Sequence, residues 1–157
     1  MTLTTRVARP EDVPAMVEMA EARRRQYQTY QPVFWAKAEQ SAGMSQMWFT
    51  HLVGLKDADV LALEEDGEIA GVAIIERIPV PPVYKGKSAI KLDDFYIRDQ
   101  SRWDELGHAL LEGVRALAKE REWDMLIVVS AQLDEARNDF LEREGLSVAS
   151  VWYNQPL

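Results

Sequence analysis

The sequence predicts an α/β fold, with a mixed, mostly antiparallel central sheet and helices on both faces. Three observations lead there. First, "VLALEEDGEIAGVAIIE" sets two apolar runs around Asp66-Gly67, a pair suited to a tight hairpin turn. Second, "ELGHALLEGVRALAKERE" carries Leu106, Ala109, Leu110, Gly113, Val114, Leu117 and Ala118 on one helical face. Third, that helix lies between "SAIKLDDFYIRD" and "DMLIVVSA", so the stretch from Ser88 to Ala131 reads as one strand–helix–strand crossover with a parallel pair. The whole order is strand, two helices, three strands, helix, strand, helix, strand, in one domain of 157 residues.

Each element has its own warrant. "TTRVARP" alternates as a first strand. In "PEDVPAMVEMAEARRRQY", Pro14 suits a first helical turn, Asp12 can cap it, and Val13, Met16, Val17 and Ala20 recur at helical spacing. Pro32 is expected to open a second helix through "PVFWAKAEQSAGMSQMWFTHLVGL", loosened near Gly43. "PVPPVYKGK" reads as an exposed loop, because Pro79, Pro81 and Pro82 break any ladder. "DMLIVVSA" is all apolar, as for a strand buried on both faces. "LDEARNDFLEREG" is a helix ended by Gly145, and "LSVASVWYN" a final strand whose pairing can make a homodimer.

Composition excludes several functions. With no cysteine, disulfides, thiol nucleophiles and Cys-ligated zinc are out, and His51 and His108 alone make a metal site unexpected. The net charge of −8 disfavours nucleic acid, and favours a cationic small substrate if it does more than confer solubility. No apolar run approaches the roughly 20 residues of a membrane span, and "MTLTTRVARP" lacks the apolar core of a signal peptide. A cytoplasmic location is expected.

The element order, with "TTRVARPEDVPAMVEMAE", "VLALEEDGEIAGVAIIE", "LDDFYIRDQSRWDELGHALLEGVRALAKE" and "DEARNDFLEREGLSV", resembles the GNAT superfamily of acyl-CoA N-acyltransferases over nearly the whole chain. The family's cofactor loop, Q/R-x-x-G-x-G/A, falls on Arg102, Trp103, Asp104, Glu105, Leu106 and Gly107. Arg102 and Gly107 match; Glu105 replaces the first glycine. The resemblance implies acetyl-CoA or another acyl-CoA as cofactor and an amine of a small molecule or peptide as acceptor. It also implies pantetheine contacts with the backbone of Phe95 and Ile97.

The physics of such a loop is general. The first N–H groups of a helix lack internal partners and carry about half a positive charge. Leu106, Gly107 and His108 would aim such donors at a pyrophosphate, and Arg102 would add a charge-assisted contact. Glu105 brings bulk and negative charge, and Asp104 adds to it. Two outcomes stand open: a working site with Glu105 turned outward, or a helix start capped by its own carboxylate. A Glu105–His108 pair on the helix surface is the expected role of His108.

The family's last helix often shows N-x-x-A-x-x-F-Y before a terminal L-G-F. Asp134, Arg137, Phe140 and Leu141 occupy these positions, followed by Gly145. Phe140 matches. Leu141 stands where many members carry a general-acid tyrosine, and Asp134 replaces the asparagine. Proton transfer is therefore expected of Asp93 or Asp94, one of which should face the cleft by strand alternation, with Tyr96 as an acid or a packing residue. In the resemblance the first two helices border the acceptor, so Tyr27, Tyr30 and Trp35, with Tyr84 on the proline-rich loop, are candidate acceptor contacts through aromatic stacking or cation–π attraction. Two functions follow: acyl transfer to an amine, or a GNAT-fold module that binds a ligand or protein without turnover.

Overall fold

The computed structural model describes residues 1–157. Its elements are β1 (Leu3–Val7), α1 (Val13–Tyr30), α2 (Ser41–Gly54), β2 (Asp59–Glu65), β3 (Glu68–Ile78), β4 (Ala89–Ile97), α3 (His108–Glu120), β5 (Met125–Val128) and α4 (Glu135–Arg143). A π-helical turn, Trp103–Gly107, leads into α3. The sheet order is β1-β2-β3-β4-β5. The first four strands pair antiparallel, and β4 pairs β5 in parallel.

Alternation along β2 sorts the core into two layers. Leu61 and Leu63 face Leu106, Leu110, Leu111, Val114 and Phe140 of the α3–α4 side. Val60 and Ala62 face Met16, Met19 and Phe49 of the α1–α2 side. The hairpin turns as predicted: Asp66 and Gly67 both have positive φ (50° and 92°), the type I′ geometry that matches strand twist. Gly145 ends α4 at φ 89°, with Leu146 N–H returning to the Leu141 carbonyl.

One irregularity shapes the site. Ala73 pairs with Phe95 but Ile75 with Leu92, so Ile74 alone opposes Asp93 and Asp94. This bulge interrupts alternation in β4. Further on, the β4–β5 ladder stops: the last partners are Leu92 and Val128, followed by one bond from Val129 N–H to the Leu92 carbonyl. From Asp93 onward the two strands part, leaving a wedge.

Four expectations are corrected. The second helix begins at Ser41, not Pro32, and Gly43 lies inside it. Residues 31–40 are instead tied to α1, through Lys37 N–H to Gln28 Oε1 and through Lys37 Nζ to Glu21, which also accepts from Ser41 Oγ at the start of α2. Asp12 does not cap α1. Its carboxylate turns back to Arg9 N–H (2.7 Å) and the Arg6 guanidinium (2.8 Å). β5 is an edge strand, half-buried rather than covered on both faces, with Met125 exposed. The final strand does not form: residues after Gly145 have no regular structure, and Trp152 rests edge-on against Phe34. A strand closes its hydrogen bonds only on a neighbour, and this segment has none in the chain.

Candidate functional site

The loop before α3 is the place where a phosphate was expected. Three of its backbone donors are already engaged. Leu106 N–H donates to the Arg102 carbonyl at 2.8 Å, Glu105 N–H to the same oxygen at 3.2 Å, and His108 N–H to the carbonyls of Glu105 and Trp103. Arg102 is held on both sides by carboxylates: Nη2 lies 2.7 Å from Glu65 and 2.8 Å from Glu105. The hydrogen bond from Arg102 holds Glu105 below the usual carboxylate range, and those that Arg102 donates to Glu65 and then Glu105 raise the guanidinium. Glu105 therefore neither caps the helix nor points away; it latches Arg102. The expected Glu105–His108 pair is absent, because His108 Nδ1 meets Glu144 at 2.8 Å. Asp104 is bonded by Arg143 at 2.7 Å. His108, Glu112 and Glu144 gather closely, but Arg115 donates to both carboxylates.

Trp103 turns inward. It is buried, stacked on Phe140 (centroids 5.4 Å apart) and tilted against Phe95 (5.8 Å). Gly107 is needed beneath this stack: a Cβ there would lie 2.6 Å from the Trp103 ring and 3.0 Å from Phe140. Here the glycine admits an indole.

Arg137 fills the wedge. The residue is 1% exposed. Its guanidinium donates from Nη2 to the Val129 carbonyl, where β5 ends, and from Nη1 to Tyr27 Oη on α1, both at 2.9 Å. Its Cζ lies 5.6 Å from the ring centroids of Phe95 on β4 and of Trp103. Burial pulls its pKa down, and no carboxylate touches it. Its Nε–H and the Trp103 indole N–H have no partner. Asp134, also buried, accepts from Tyr27 Oη at 3.2 Å and from Arg137 N–H, capping α4. The pantetheine arm of an acyl-CoA does not fit this wedge in the conformation described. Sequence reasoning placed Arg137 at a small-residue position of the family pattern without giving it a role; the size mismatch there was the available signal.

The α1–α2 side is more open. A cleft of about 540 Å³ runs between the end of α2 and the β3–β4 bulge. Trp48, half exposed, forms one wall, and Asp57, Glu76, Asp93 and Asp94 lie along the others. Both aspartates border it, not one, because the bulge sets aside strict alternation. Lys91 bridges Asp93 (2.9 Å) and Glu76 (3.1 Å), and Arg23 meets Asp94 at 3.2 Å; Asp57 has no ion pair. Tyr96 lies outside this cleft, buried, with its hydroxyl on the Met16 carbonyl. Burial, then the nearby Asp94, raises its pKa well above the usual phenol value, so it holds its proton more tightly than an ordinary phenol and is a weaker acid.

The predicted aromatic contacts separate. Tyr27 and Trp35 pack at 4.9 Å and Tyr27 and Tyr30 at 5.8 Å, yet Tyr27 is buried and faces Arg137. Tyr84 is exposed on its loop, away from the cleft lining.

No protein-family model matches the chain, and no curated protein matches its sequence. Solved structures do. A tetramutant of the BH1408 protein from Bacillus halodurans superposes with a TM-score of 0.82 at 15% identity, over 100% of both chains. A predicted acetyltransferase of Clostridium acetobutylicum, crystallised with acetyl-CoA, gives 0.69 at 19% identity over 99% of this chain and 96% of its own. The ribosomal-protein-alanine N-acetyltransferase of Brucella melitensis biovar Abortus 2308 gives 0.67 at 19% identity, over 100% and 99%. These likenesses show a GNAT-like fold. No helix of the chain is long and apolar enough to cross a membrane.

Proposed function

We propose that this chain is a GNAT-fold protein that binds a cationic, amine-bearing small molecule or peptide in the acidic cleft beside the β4 bulge, with its acyl-CoA wedge closed and no acyl transfer in this state. The observation that carries the reading is the Arg137 guanidinium, bonded to Val129 at the parting of β4 and β5. The acidic rim attracts an ammonium group, and the Trp48 face adds cation–π contact. Calorimetric titration with spermidine as the amine probe tests it. Binding should weaken about tenfold or more in Trp48→Ala and in the Asp93→Asn, Asp94→Asn double variant, and should fall with added salt. Failure of the wild-type protein to bind spermidine or any other primary amine overturns this reading.

The fold neighbours, one of them holding acetyl-CoA, favour a second reading: an acyl-CoA-dependent N-acyltransferase. Asp93 and Asp94 would then accept the ammonium proton, directly or through water. Release of CoA thiol from acetyl-CoA in the presence of an amine, by the wild-type protein, would establish it.

A further inference from the structure

The wedge is not simply packed shut. Most of what fills it is apolar and stacked: Phe95, Trp103 and Phe140. Arg137 differs in kind. It is a charge taken fully out of water without a carboxylate partner, and one of its donors has no acceptor. Such burial is expensive, and buried polar groups are normally satisfied. A Trp103 donor beside it is also unmatched. Both groups belong to the one place where the sheet hydrogen bonds have stopped and backbone groups of β4 and β5 part. The Val129 carbonyl, which the parting frees, is taken by Arg137 itself.

We infer that Arg137 is the side chain that decides whether the arm of an acyl-CoA can enter between β4 and β5, standing in for the arm by bonding Val129 and stacking on Phe95 and Trp103. It is a specificity-determining residue of the wedge, acting by occupancy. The inference deepens the closed-wedge reading and names the residue responsible. It makes a selective demand. The resemblance implies contacts of the pantetheine arm, not of the nucleotide, with the backbone of Phe95 and Ile97, so Arg137, lying over Phe95, would obstruct the arm alone.

The test compares wild type and Arg137→Ala by calorimetry, with two probes: acetyl-CoA, and 3′-phospho-ADP, which is the cofactor's nucleotide without its arm. Arg137→Ala should bind acetyl-CoA at least about tenfold more tightly than wild type. Its affinity for 3′-phospho-ADP should change by less than about twofold. Equal gains for both probes, or no gain for acetyl-CoA, overturn the inference. Should the cavity left by alanine unfold the protein, Arg137→Ser and Arg137→Lys repeat the comparison, with the gain expected to be smaller for lysine. Independently, a crystal structure of wild type soaked in acetyl-CoA decides the point. Arm density in the wedge while Arg137 still bonds Val129 overturns the inference; the arm present with the guanidinium swung out, or absent with it in place, supports it. Spermidine binding is read separately in the same variants, so a failure of the amine reading is not mistaken for a failure of this one.

Discussion

Arg102, in the loop before α3, and Arg137, in the wedge between β4 and β5, could hardly be treated more differently. Arg102 is at the surface, embraced by Glu65 and Glu105. The Arg137 guanidinium is buried, held by a phenol and a carbonyl, and bonded to no carboxylate. The loop cation, which a phosphate-binding site would leave available, is neutralised twice. The cation in the interior, where an apolar or small residue is ordinary, has no direct carboxylate partner and meets Asp134 only through Tyr27 Oη. The difference sets mutual satisfaction in the loop against direct occupation in the wedge. It also separates what is costly to disturb from what is not, since exposed ion pairs contribute little whereas buried donors stripped of partners are severe losses.

The largest stability effect should come from the inner arginine's partner. Tyr27→Phe removes the hydroxyl that accepts from Arg137 and donates to Asp134, leaving a buried guanidinium N–H unmatched. Urea denaturation should show a loss of about 2–3 kcal/mol. A loss below about 0.5 kcal/mol would mean that Arg137 is solvated and the contrast drawn above is false. Next is Gly107→Ala, which forces a methyl group against Trp103 and Phe140. Overpacking of this kind costs about 1–3 kcal/mol, and the near-ultraviolet signal of the indole should change with it.

A buried carboxylate with partners sharpens the comparison from the other side. Glu21 is pushed down to about 2: burial alone would raise it, but bonds from Lys37, Ser41 and Arg24 prevail. A depressed carboxylate stabilises the fold above its unfolded value of 4.5, and that contribution is lost as pH falls toward 2. Acid denaturation followed by circular dichroism should therefore steepen between those values in wild type and flatten there in Glu21→Gln. An unchanged slope would show that the network does not protect the charge. The smallest effect is expected at the rim. Arg102→Ala should leave the urea midpoint close to wild type and should not confer acetyl-CoA binding, because Arg137 still fills the wedge; tight binding by that variant would move the barrier from the interior to the loop.

Patterns that act over a few residues were legible in the sequence. Asp66-Gly67 specified its turn through backbone conformation alone. The α3 stripe specified a buried face, since 3.6-residue periodicity is a local property, and Gly145 marked the end of α4. The crossover from β4 to β5 followed from element order and handedness. Strand-like composition after Gly145 did not suffice, because a strand needs an edge to bond to. Nor did alternation locate Asp93 and Asp94, since a bulge depends on the register of two strands, not one.

The site itself lay mostly beyond the sequence. Arg102 and Gly107 stand at the positions of a phosphate loop, yet Gly107 makes room for Trp103, and Arg102 answers to Glu65, 37 residues away in the chain. Tyr27 looked like a ligand contact, and the contact is with Arg137, 110 residues later. Residue types and local spacing determine helices, turns and the charge of a surface. Whether a cleft is open depends on which distant side chains converge there, and that was decided only when α1, β4, the loop and α4 packed around one guanidinium.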